Sequence, residues 1–111
     1  MTKTKFLQIV MTIDQRDTAE TIAKTLVEMK LAACVQILGP IASTYRWQGK
    51  VETAEEWQCL IKSRSDRYQD VERVIKALHP YNVPEIIMTP IVGGHAAYLQ
   101  WLDENVESED L

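Results

Sequence analysis

From Phe6 to Ile13 the run FLQIVMTI places apolar side chains at 7, 9, 11 and 13 on one face and a mixed set at 6, 8, 10 and 12 on the other. Alternation with period two predicts a β-strand buried on one side. The period then changes: Ala19, Ile22, Ala23, Leu26, Val27 and Leu31 recur at helical spacing with charges between them. This predicts a helix from about Asp17 to Lys30, with Asp17 and Glu20 as a capping-box-like start.

The stretch LAACVQILGPIASTYRWQGKVETAEEWQCLIKSR has no helical period and is rich in β-branched and aromatic residues, so it reads as two strands. Gln48-Gly49 fits a tight hairpin turn between them. Gly39-Pro40 interrupts the first, and since proline cannot donate to a ladder, a bulge or bend at a sheet edge is expected. SDRYQDVERVIKALHP follows, with Ser65 or Asp66 as a cap, apolar residues at 68, 71, 74, 75 and 78, and a stop at Pro80: a second helix. Glu85 to Val92 is expected to be a fourth strand, broken by Gly93-Gly94, and HAAYLQWLDENV a last short helix with Leu99, Leu102 and Val106 near one stripe.

The order βαββαβα opens with the six elements of the split βαβ, or ferredoxin-like, arrangement. That is an α+β fold in which two helices cover one face of a four-stranded antiparallel sheet, here with a C-terminal helix added. The second and third strands exceed what one small domain uses, and they carry Tyr45, Trp47 and Trp57. Oligomerisation is the expected cover for that surface.

Composition narrows the picture. With 111 residues and 46% hydrophobic content, the chain suits a single domain spanning 1–111. A net charge of −4, much of it in the tail ENVESEDL from about 104 to 111, offers no cationic surface for nucleic acid. The apolar run near the N-terminus is short and interrupted by Gln8 and Thr12, which fits neither a signal peptide nor a spanning helix, so a cytoplasmic location without membrane contact is expected. Cys34 and Cys59 belong to no C-x-x-C pattern and are expected to be reduced and buried.

The segments KLAACVQILGPIASTYRWQGKVE, LIKSR, HPYNVPEII and PIVGGHAAYLQWL together resemble, in order and spacing from about Leu7 to Leu102, the CutA divalent-cation tolerance family. The resemblance implies a ferredoxin-like protomer in a tight homotrimer, the long second and third strands completing sheets across the interfaces. It also implies copper or other divalent-cation ligation by a first-strand cysteine and a His-His pair before Pro-Tyr. In this chain Met11 stands at the cysteine position and Leu78 at the first histidine, leaving His79 and Met11 as the metal candidates. A thioether suits Cu(I) and serves Zn(II) or Cu(II) poorly, so the expected binding is weak.

Residue by residue, bland readings stand beside functional ones. His79 ends the second helix, where a lone histidine is explained by the helix dipole without any ligand. Pro80 and Pro84 account for a corner by themselves. Glu52, Glu55 and Glu56 read as a solvated strand face, and His95 as a surface residue starting the last helix. Tyr45, Trp47, Lys62, Tyr81 and Glu85 form a different set: aromatic walls with a cation and a carboxylate suit a small polar ligand in an inter-subunit cleft, and equally an interface core. Neither a nucleophile elbow, a zinc-protease motif nor a phosphate-cradling glycine loop is present, which argues against an enzyme. Two functional readings remain: weak copper or divalent-cation binding for metal tolerance, and a trimeric small-ligand sensor or adaptor.

Overall fold

The computed structural model describes residues 4–108; the end of the acidic tail, 109–111, lies outside them. The elements are β1 (Phe6–Ile13), α1 (Arg16–Glu28), β2 (Cys34–Trp47), β3 (Lys50–Arg64), α2 (Tyr68–Leu78), β4 (Ile86–Pro90) and α3 (Ala96–Glu104), with a short 3-10 turn at Ser65–Arg67. All strand pairs are antiparallel, in the order β2-β3-β1-β4. The expected ferredoxin-like topology is the observed one.

Alternation along β1 does what its sequence predicts. Leu7, Ile9, Met11 and Ile13 are buried; the last three pack with Ile22 and Leu26 of α1, Val71 and Ile75 of α2, and Cys59 and Ile61 of β3. A second, smaller cluster of Ala33, Leu102 and Val106, joined by Phe6 and Ile91, seats α3 over one end of the opposite face. Arg64 fixes that helix. Its guanidinium, 9% exposed, grips Asp66 through two N–H groups and also donates to Asp103 Oδ1 and to the carbonyls of Asp103 and Val106.

The helix starts differ from expectation. Gln15, not Asp17, occupies the N-cap of α1 and makes no side-chain capping bond, while Asp17 lies inside the first turn, where it faces the positive end of the dipole. Ser65 and Asp66 fall in the 3-10 turn, because Asp66 is committed to Arg64 rather than to a helix amide. At the other end of α1, Lys30 takes φ 58°, and the amides of Lys30 and Leu31 donate to the carbonyls of Val27 and Leu26 in a Schellman ending. The fourth strand is shorter than Glu85–Val92: Ile86 to Pro90 pair in register with β1, and Ile91 adds one last bond from its amide to the Phe6 carbonyl.

Two local features shape the rest of the molecule. Gln48 (φ 51°) and Gly49 (φ 80°) form the two-residue turn that lets β2 and β3 continue as a ribbon. Gly39-Pro40 forms the expected bulge on an edge strand: Leu38 pairs with Gln58 and Ile41 with Glu56, so two residues oppose Trp57 alone. A side chain at Gly39 would lie 2.5 Å from the Trp57 ring, which reserves the position for glycine. Beyond the bulge, β3 residues 50–56 pair only with β2, and this ribbon projects as an arm. The radius of gyration is accordingly 14.7 Å, against about 13 Å for a compact domain of similar size.

Candidate ligand cleft between the arm and the corner

The bulge decides which side chains meet. Before it, Val35 and Ile37 pack against the helix-covered core. After it, one extra residue has shifted the parity of β2, so Ile41, Ser43, Tyr45 and Trp47 lie beside Glu56, Ala54, Glu52 and Lys50. Tyr45 and Trp47 thereby share a ribbon face with Glu52 and Glu56.

Opposite this face stands the corner 79–85, tied to the end of β1 at a single residue. The backbone oxygen of Thr12 accepts a hydrogen bond from His79 Nε2 (2.8 Å), and the Thr12 hydroxyl donates to Glu85 Oε1 (3.3 Å). His79 Nδ1 accepts the backbone N–H of Tyr81 (3.2 Å), and the two rings meet edge to face with centroids 4.5 Å apart. Since a carbonyl can only accept and an amide N–H only donate, the imidazole is the neutral tautomer with its proton on Nε2. Tyr81 then reaches across to the arm, its hydroxyl donating to Glu56 Oε2 at 2.7 Å. Burial, reinforced by this carboxylate, pushes the Tyr81 phenol well above its usual range.

Between arm and corner lies a cleft of about 870 Å³. Four of the five residues anticipated for a cleft, Tyr45, Trp47, Tyr81 and Glu85, line it, together with Thr12, Glu52 and Glu56. In this chain its walls come from the arm and the corner. The fifth, Lys62, is elsewhere: it pairs with Cys34 and Gln8 in the sheet, and its ammonium donates to Gln36 Oε1. Glu56 is the residue that sequence reading missed. It is 6% exposed rather than a solvated strand residue, and its place beside Ile41, on the ribbon face of Tyr45, follows from the register beyond the bulge, the one signal that could have found it.

The metal candidates occupy less favourable ground. Met11 is fully buried in the main core, and His79 has both ring nitrogens committed to backbone groups, with no lone pair left over. Among the described residues no group of three or more His, Cys, Asp and Glu side chains is placed to hold a metal ion. The cysteines separate as well. Cys59 is buried and its thiol is pushed up to about 11 by that burial, whereas Cys34 is half-buried, not buried as expected, with Sγ 3.5 Å from the Tyr98 hydroxyl.

Known proteins place the chain clearly. Residues 7–105 match the family model described as "CutA1 divalent ion tolerance protein". The divalent-cation tolerance protein CutA of Thermus thermophilus is 45% identical over 97 residues, covering 87% of this chain and 94% of that one, and its counterpart in Archaeoglobus fulgidus is 44% identical over 99 residues, covering 89% and 96%. Among solved structures, CutA1 of the psychrotrophic Shewanella sp. SIB1 superposes with a TM-score of 0.93 at 42% identity, covering 96% of this chain and 100% of that one. The chain belongs to the CutA1 divalent ion tolerance family.

Proposed function

We propose that the protein contributes to divalent-metal tolerance as a cytoplasmic homotrimer that holds copper or other divalent cations only weakly, and that its ligand-binding site is the cleft between arm and corner. The observation carrying this reading is the contrast between the two candidate places. His79 and Met11 are absorbed by the fold, whereas Tyr45, Trp47, Tyr81 and Glu85 converge on open space. The names borne by the relatives support the link to divalent cations.

Assembly is supported by what one chain leaves uncovered. Val51 is 65% exposed and Ile87 52%, and the arm has β3 edge positions without a strand partner among the described residues. Such edges and apolar positions are what a second copy covers.

Melting the purified chain with copper and with a panel of small metabolites tests the reading, because a ligand specific for the native state raises the midpoint. The expected result is a trimer by light scattering, a small shift with copper and a larger one with a metabolite. A stable monomer, or a large saturable shift with copper alone, would contradict it.

A further inference from the structure

Resting on that reading of the cleft, we infer that its ligand is a small organic cation: an amine carrying an apolar or aromatic body. The first argument is charge. The ionisable side chains lining the space are Glu52, Glu56 and Glu85, with the Tyr45 and Tyr81 phenols and Arg46. Three carboxylates against one guanidinium leave the lining with an acidic excess of two.

The second argument is size. A metal ion needs several donors converging on one point at about 2.0–2.6 Å, and these carboxylates, spread along arm and corner, form no such group. A cation several ångströms long meets dispersed carboxylates without that convergence. Its carbon body can lie against Tyr45, Trp47 and Tyr81, whose ring faces attract positive charge.

The third argument is Glu56. It is more than nine-tenths buried, and Tyr81 satisfies one of its oxygens. The other, Oε1, has no hydrogen-bond donor among the described residues, and Glu56 is one of the residues that line the cleft. A carboxylate half satisfied by a phenol and half open to a cleft is a preorganised acceptor for an ammonium N–H.

The test is calorimetric titration of the assembled full chain with benzylamine, with benzyl alcohol as neutral analogue and benzoate as anionic one. Benzylamine is expected to bind once per chain and to weaken about tenfold or more in Glu56→Gln and in Glu85→Gln, the scale of losing one charge-assisted hydrogen bond. Each variant keeps the size of its side chain, and an unchanged trimer mass and melting midpoint confirm that it folds. Trp47→Ala is expected to weaken benzylamine without restoring the alcohol. Equal binding of all three probes, no binding of benzylamine, or full affinity in both glutamine variants would overturn the inference. If benzoate alone binds, the cleft is still a ligand site and only the cationic assignment falls. If copper competes with benzylamine and loses its own binding in the same variants, the cleft is a metal site and the amine proposal fails while the link to metals stands.

Discussion

The two halves of β3 share one strand and live in different worlds. Gln58 to Lys62 runs between β1 and β2 and the strand continues to Arg64 along β1, with Cys59, Ile61 and Ser63 fully buried on the helix-covered side and Ser63 Oγ donating to the Leu31 carbonyl at 2.6 Å. Lys50 to Glu56 has β2 as its one strand partner among the described residues, and of these positions only Glu56 is buried. The inner half contributes stability; the outer half contributes a shaped, charged wall. The bulge opposite Trp57 marks the boundary between them.

The sharpest break of this contrast comes from truncation on the two sides of the boundary. Ile61→Ala should cost about 2–5 kcal/mol in a urea melt, the range for deleting a large buried aliphatic group. Thr53→Ala on the arm should stay within about 0.5 kcal/mol, as substitutions on exposed surface do. Comparable losses at the two positions would mean that the arm is as tightly built as the core.

His79→Ala comes next. It removes the partner of the Thr12 carbonyl and of the Tyr81 amide, so a loss of about 1–3 kcal/mol is expected in the same melt, the cost of leaving such groups unpaired. Tyr81→Phe should cost less, about 1 kcal/mol, because the Glu56 oxygen it abandons can turn to water in the cleft. If Tyr81→Phe costs more than His79→Ala, the corner is held chiefly by the arm and not by β1.

The arrangement of the arm and the corner was only partly legible in the amino-acid order. Period-two spacing located β1 and helical spacing the helices, since burial of one face imposes those periods directly, while β2 and β3 were legible from their β-branched and aromatic content. Gly39-Pro40 and Gln48-Gly49 announced the bulge and the turn through backbone chemistry alone. The helix caps were not legible, because Asp66 had two possible partners and the distant packing of Arg64 chose between them. Glu56 was misread for a related reason: its burial depends on Tyr81, 25 positions away, and on a parity change that only the register reveals. Lys62 was grouped with the cleft through its motif, whereas its strand position places it beside Gln36.

Two smaller effects sharpen the comparison. A thiol reagent should modify Cys34 first and Cys59 only on unfolding, since Cys59 is fully buried and its thiol is held up near 11; mass spectrometry of the native protein showing equal labelling would place Cys59 nearer the surface than the core. Acid should weaken the α3 end selectively. Bonding to Arg64 lowers Asp66 below its ordinary 3.8, and bonding to Lys5 and Arg64 lowers Asp103. A carboxylate depressed in the folded state contributes stability that is complete above its unfolded value and is lost as pH falls through the folded one. Trp101 lies on α3, so near-ultraviolet circular dichroism should report loosening of that helix below about pH 4, and an Asp103→Asn variant should flatten the acid limb.

The division of labour between a structural histidine and an open cleft is tested most directly by calorimetric titration of copper into the wild-type chain and into His79→Ala. The account predicts weak binding in both, with the variant trimeric and lower in melting temperature. Tight, stoichiometric copper binding that His79→Ala abolishes would contradict it, and would show that the imidazole leaves Thr12 and Tyr81 to take a metal.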